Sequence, residues 1–344
     1  MVALSNGPNT IRITRHTVVT CLGQGEADHL TAMKSGRSGL TPSTYPDLPF
    51  DCYLGAVAGL ENLQFPQELL EFDNRATRLA VMALQTDGFL DAAYAVRDRW
   101  GPDRCGLVLG TTSSGIIKLE EVYRDRADTE PLPDSYIMNH HDNYHAVAAF
   151  VHKFLGLRGP SYTVSTACSS SAKAIIDAHQ LIAAGFCDAV IVGGVDSLCL
   201  LSLNGFESMQ LISRQPCRPC DISRNGISVG EGAAFMIVER DTNLGLGLCG
   251  AGESSDAVSM STPPKDGAGA EAAMRAALED ANLDPGQVSH VNLHGTATLS
   301  NDIAECNAVR TVFGEAIPVS SLKGMIGHTL GAAGAVEGVM CLIA

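Results

Sequence analysis

Cys168 stands in Thr163-Val164-Ser165-Thr166-Ala167-Cys168-Ser169-Ser170-Ser171-Ala172-Lys173, between a β-like run and an apolar helical pattern. A thiol in the first turn of a helix faces unpaired backbone N–H groups and the positive end of the helix macrodipole. Both favour the thiolate, which is the nucleophilic form. The chain has eleven cysteines, and a free cysteine is commonly just a small buried residue, so a nucleophile must also show partners. Two later segments supply them: Asn292-Leu293-His294-Gly295-Thr296-Ala297-Thr298 and Ser320-Ser321-Leu322-Lys323-Gly324-Met325-Ile326-Gly327-His328-Thr329. His294 and His328 each follow a strand-like run and sit beside glycine, where backbone can approach a ligand closely. Neutral imidazoles can donate hydrogen bonds to a developing oxyanion, and a Cys–His pair supports covalent catalysis through a thioester. Lys323 would bias a nearby histidine towards its neutral form by like-charge repulsion. Glu305, on the helix after the first histidine segment, is placed to offset the lysine charge.

Strand-like and helix-like stretches alternate, the pattern of an α/β protein. Val18-Val19-Thr20 leads to Gly23-Gln24-Gly25 and a helical pattern, and residues 73–87 have an acidic start and an apolar stripe that predict an amphipathic helix. Residues 105–109 read as a short buried strand, residues 169–184 as a helix, and residues 189–192 as a strand closed by Gly193-Gly194. Such a chain predicts parallel strands covered by helices on both faces. After residue 250 the alternation restarts, with a helix over 270–281, a turn at Asp284-Pro285-Gly286, a strand over 290–293 and a helix over 302–312. Two related halves are therefore expected: residues 1–250 with the cysteine and 251–344 with the two histidines. The second is much the shorter, and the sequence stops at Ala344 inside an apolar helical stretch, so the expectation is a truncated second half.

With 344 residues and 45% hydrophobic content the chain can bury a large core. The net charge of −15 comes with no compensating basic stripe, which argues against nucleic acid. Neither a secretion-signal pattern nor a long uncharged apolar span is present, and the irregularly spaced cysteines read as reduced thiols. The expectation is a cytoplasmic protein off the membrane. Cys217 and Cys220 have metal-like spacing, but no second Cys/His pair completes a four-ligand set. His140, His141, His145 and His152 cluster without a carboxylate motif and read as solvated or loop-packed. The Gly245-Leu246-Gly247-Leu248-Cys249-Gly250 run matches G-x-G-x-x-G formally, yet no evident helix follows, so it reads as a strand or turn at a boundary. No cofactor and no metal are expected.

TACSSS at 166–171, HGTAT with Asp302 and Glu305 behind it, and SSLKGMIGHTLGAAGAVE at 320–337 occur in order along the chain. Asn204-Gly205-Phe206, Cys217-Arg218-Pro219 and DISRNGISVGEG at 221–232 lie between them. On these blocks the chain resembles an elongating β-ketoacyl-ACP synthase of type I/II, a condensing enzyme of the thiolase superfamily, from about Val18 to its last residue. The resemblance implies a thiolase-like fold of two similar α/β halves in five layers, helix, sheet, helix, sheet, helix, usually as a dimer. It implies that Cys168 takes an acyl chain from acyl-carrier protein as a thioester and that malonyl-ACP then enters and loses CO2. His294 and His328 would stabilise the enolate, and the carbanion would attack the thioester to give a 3-oxoacyl-ACP. The Cys168 backbone N–H would form half of the oxyanion hole. Lys323 and Glu305 would support the second histidine and a polar network. The implied partners are acyl-carrier protein and an identical or related subunit.

Three departures stand out. The family's glycine-rich loop with a gating Phe, near its C-terminus, is not found before Ala344 and is expected to follow it. Cys220 occupies a position where the family more often has Phe, so the Cys217/Cys220 spacing is read as incidental. The serines at 169–171 resemble polyketide-type synthases more than housekeeping ones. Rival readings are a non-catalytic chain-length partner, which would lack the cysteine, and a degradative thiolase, which would need a second cysteine near its C-terminus. A papain-like protease is a further rival because Cys168, His294 and Asn301 occur in the order Cys, His, Asn.

Overall fold

The computed structural model describes residues 11–344 except 125, 128, 241, 242 and 260. Its main sheet is built from β1 (Arg12–Thr20), β2 (Cys105–Gly110), β3 (Ser161–Val164), β4 (Ala189–Asp196), β5 (Gly232–Glu239) and β6 (Leu246–Gly247), in the order β6-β1-β5-β4-β2-β3. Residues 23–24 pair with the end of β1. Every residue of β2, β4 and β5 is buried. The alternation of side chains explains how one strand serves two cores. Leu107, Leu109 and Ile191 enter one cluster, whereas Val108, Val190 and Val192 enter the other.

The sheet is not purely parallel. β2 runs parallel to β3 and β4, but β4–β5, β5–β1 and β1–β6 are antiparallel. A run buried on both faces looks the same in either direction, so the sequence did not show this. Nor do Gly193 and Gly194 close β4. They continue its pairing to Asp196.

One face is covered by α1 (Arg75–Leu84), α2 (Phe89–Trp100) and α3 (Ala146–Leu155). Asn74 caps α1, its side chain accepting from the N–H groups of Ala76 and Thr77. On the other face lie α4 (Ser170–Ala183) and α5 (Ala333–Ile343), one from each half of the sequence. They meet closely. A Cβ on Gly334 would stand 2.5 Å from the Ala172 nitrogen, and one on Gly110 would stand 2.3 Å from the Ser171 nitrogen. Glycine at both positions lets β2 and α5 close around the first turn of α4.

The second half adds a short parallel pair, β7 (Val291–Asn292) and β8 (Val319–Ser320). It also adds α6 (Ala268–Ala281) and α7 (Leu299–Phe313), which contact each other. The order is helices, sheet, the α4/α5 pair, sheet, helices, the five-layered thiolase-like arrangement. Residues 246–247 belong to the first sheet as β6, so the glycine-rich run there is a strand and turn. No helix among the described residues is long and apolar enough to cross a membrane.

Candidate active site

Four segments that converge here follow the carboxyl ends of parallel strands: Cys168 after β3, Thr111 after β2, His294 after β7, and Lys323 with His328 after β8. This is where an α/β sheet leaves room for a ligand. Cys168 does not lie inside the first turn of α4; it precedes the N-cap, Ser169. Ala167 holds φ at +53°, a strained value for a residue with a Cβ, and this turns Cys168 out of the strand-to-helix connection. Ala297 and Leu330, at +64° and +54°, carry the same strain beside His294 and His328.

The reactive atoms of Cys168, His294 and His328 all lie within 4.8 Å of one another. His328 Nε2 is 2.9 Å from Cys168 Sγ, and the two imidazoles meet edge to face with 5.1 Å between ring centroids. The far side of each ring fixes its tautomer. The Leu330 backbone N–H donates to His328 Nδ1 at 3.1 Å, and Lys323 Nζ donates to His294 Nδ1 at 3.2 Å. Neither a backbone amide nor an ammonium can accept a hydrogen bond, so both Nδ1 atoms hold lone pairs and both ring protons sit on Nε2. The site therefore offers two Nε2–H donors around one sulfur.

Burial, with the Lys323 charge second, holds both histidines well below their ordinary value of 6.5; His294 adds a further small push on His328. Both are neutral at pH 7. Burial also pushes the Cys168 thiol up, with the Lys323 charge opposing it. The sequence-based expectation of a thiolate favoured by the helix end is corrected accordingly. Desolvation outweighs the dipole because the sulfur lies against α4 outside its first turn, among groups that exclude water.

The supporting residues differ from expectation in two respects. Lys323, 1% exposed, contacts His294 and not the second histidine. Its countercharge is Glu337 on α5, whose Oε1 accepts from Nζ at 2.5 Å. Glu305 does not neutralise Lys323 by contact. Its carboxylate accepts the backbone N–H groups of His294 at 2.5 Å and Gly295 at 2.8 Å and so fixes the histidine loop. Burial raises the Glu305 carboxyl above its ordinary value, against the pull of those two donors. Asn301 contacts Asp302 and Glu305 and touches no histidine, which removes the protease-like triad.

Two carboxylates went unnoticed in the sequence. Glu337 was legible as the lone acid in the apolar run GAAGAVEGVM, since a buried charge requires a partner. Asp196, fully buried at the end of β4, accepts from the backbone and hydroxyl groups of Thr112 and Ser113, the Thr111 hydroxyl and the Gly331 N–H. It ties the β2 end to the turn that carries His328. Beside Cys168 opens an apolar cavity of about 210 Å³ lined by Thr112, Ala167, Ser202, Phe206, Met209 and Leu330.

A cysteine between two histidines is also what a metal centre needs, and this is the one such cluster among the described residues. The donor set does not fit an ion. Both Nδ1 lone pairs are engaged, and both Nε2 atoms facing the sulfur carry protons. The histidine group at 140–152 is packed as structure. His141 Nδ1 accepts from the Ile137 N–H, His145 contacts Thr163, His152 contacts the Gly159 carbonyl, and His140 lies over Phe72.

Comparison with known proteins agrees with this geometry. Residues 10–243 match the family model of the β-ketoacyl synthase N-terminal domain, and residues 247–344 that of the C-terminal domain. The chain is 33% identical to Nodulation protein E of Rhizobium leguminosarum bv. trifolii over 94% of its length and 83% of that protein. It is also 33% identical to putative polyketide beta-ketoacyl synthase 1 of Streptomyces virginiae, over 95% and 83%. Among solved structures it resembles a ketosynthase (ApeO) in complex with its chain length factor (ApeC) from Xenorhabdus doucetiae. That pair has a TM-score of 0.89 and 34% identity, covering 99% of this chain and 86% of the other. With its cysteine and both imidazole donors in place on this fold, the chain belongs to the β-ketoacyl synthase family.

Proposed function

We propose that this chain performs decarboxylative condensation, with Cys168 as the acyl carrier. The observation that carries the reading is the pair of Nε2–H donors fixed around one desolvated sulfur. Cys168 attacks an acyl thioester on acyl-carrier protein; the acyl–sulfur bond of the donor breaks, and the Cys168 proton ends on the departing thiol. The acyl chain then lies in the apolar cavity beside Phe206 and Met209. Malonyl-ACP enters, its carboxylate leaves as CO2, and the electron pair moves onto the thioester oxygen. His294 and His328 meet that oxyanion with their Nε2–H groups. The carbanion attacks the Cys168 thioester carbonyl, releases the cysteine sulfur, which regains a proton, and gives a 3-oxoacyl-ACP two carbons longer. Lys323 holds the tautomer of His294, and Glu305 holds its loop.

The cysteine argues for a catalytic subunit over a non-catalytic chain-length partner, and residues 1–250 and 251–344 act as two halves of one site. A ketosynthase–chain length factor pair among the solved relatives supports a related subunit as partner, in fatty-acid or polyketide elongation. Eleven free thiols support a cytoplasmic setting. The test is acyl transfer from radiolabelled acyl-ACP. Label should remain on the native protein after precipitation and be absent from Cys168→Ala. Label retained by the variant would end the assignment.

A further inference from the structure

Cys217 and Cys220 are close in sequence, but their sulfurs go to different places. Cys217 is buried, its Sγ donating to the Lys323 carbonyl oxygen at 3.1 Å. Cys220 turns outward at φ +60°, its backbone N–H held by Asp302 Oδ2 at 2.7 Å. Its sulfur faces Cys306 on α7, with 3.9 Å between the two Sγ atoms. Both cysteines are exposed, and 86 positions separate them in the chain, so only the fold brings them together. The condensation chemistry uses neither.

We propose that Cys220 and Cys306 form a dithiol that hydrogen peroxide oxidises to a disulfide and that a thiol reductant opens again, a modification site separate from Cys168. A disulfide needs the sulfurs at about 2.05 Å, a closure of roughly 2 Å that rotation of two exposed side chains can supply. The Cys306 sulfur attacks the peroxide. The O–O bond breaks, one oxygen stays on sulfur as the sulfenic acid, and the other leaves as water with the thiol proton. Cys220 then attacks the Cys306 sulfur. The S–S bond forms, the S–O bond breaks, and the hydroxide leaves as a second water with the Cys220 proton. Two thiols lose two electrons, and one peroxide becomes two waters.

Partial burial, then the neighbouring Cys306 and Asp302, push the Cys220 thiol up; exchanging the two sulfurs in the sequence leaves the balance and the product unchanged. The desolvated Cys168 sulfur is the less accessible target. The bond would tie the loop at 217–224 to α7 one residue from Glu305, the carboxylate that fixes the His294 loop.

The experiment treats the full chain with increasing hydrogen peroxide, alkylates the remaining thiols and digests without reductant. The expected result is one cross-linked species joining Cys220 to Cys306, two hydrogens lighter than the separate peptides and abolished by dithiothreitol. It should be lost in both Cys220→Ser and Cys306→Ser, which still accept acyl label on Cys168. In parallel, phenylarsine oxide, which binds stably only to paired thiols, should be retained by the native protein and lost from both variants. No cross-link in the native protein, oxidation of Cys168 before either cysteine, or arsenical retention by a single variant would each overturn the proposal.

Discussion

In the proposed mechanism, replacing His294 by Ala removes one of two oxyanion donors and leaves the sulfur untouched. Lost donors of this kind cost ~10²–10³ in rate, or about 2.7–4 kcal/mol of barrier. The fold should survive the change. Lys323 loses an acceptor at 3.2 Å but keeps Glu337 at 2.5 Å, so the buried ammonium stays paired. The stability cost is then that of one unmet donor, about 1–3 kcal/mol. CO2 release from malonyl-ACP, measured in a Cys168→Ala background, isolates the decarboxylation step from condensation. The His294→Ala double variant should fall by the factor above. His294→Gln should recover part of the loss, because its amide keeps an N–H near the Nε2 position. Equal CO2 release from folded proteins with and without His294 would refute the donor role.

Because burial and Lys323 hold both histidines below 6.5, decarboxylation should show no acid limb between pH 6.5 and 8. A limb rising through 6.5 would show that a histidine titrates there. The same depression makes stability pH-dependent. Each histidine contributes stability that is fully present above its unfolded value of about 6.5 and lost as pH falls through the lower folded value, so denaturation midpoints should fall on acidification below 6.5. Since burial raises the Cys168 thiol, alkylation of Cys168 in the free protein should accelerate steadily from pH 7 to 9. A plateau below pH 7 would mean a pre-formed thiolate. Replacing Glu337 by Ala leaves Lys323 buried without its countercharge and should lower unfolding stability by about 3–5 kcal/mol, read by urea denaturation. A loss below about 1 kcal/mol would mean the pair is not buried in solution.

Much of the site was legible because its residue types are rare in combination and sit next to strand ends. Cys168, His294, His328 and Lys323 were each found on these grounds, and the tertiary structure brings them together. The partners were harder. Lys323 is five positions from His328 in sequence yet bonds His294, because α5 supplies Glu337 on one side and the β7 end supplies the ring on the other. The resemblance paired Lys323 with the second histidine; its hydrogen bond goes to His294, while its charge acts on both rings. Glu305 was placed as an offset to the Lys323 charge, which does pull on its carboxyl. Its carboxylate, however, accepts two backbone N–H groups, and side-chain acceptance of backbone N–H groups leaves no mark in a sequence.

The sequence by itself determined the alternation of elements, the order of the three family blocks and the candidate nucleophile, because each depends on local patterning or residue type. Strand direction was left to the tertiary structure, since a strand buried on both faces has the same composition whichever way it runs. The thiol's protonation was decided there too. Helix position is local, but desolvation depends on everything packed around the sulfur, and here it prevails. The nearness of Cys220 to Cys306, and not to Cys217, has the same origin: a contact across 86 positions exists only once the chain has folded.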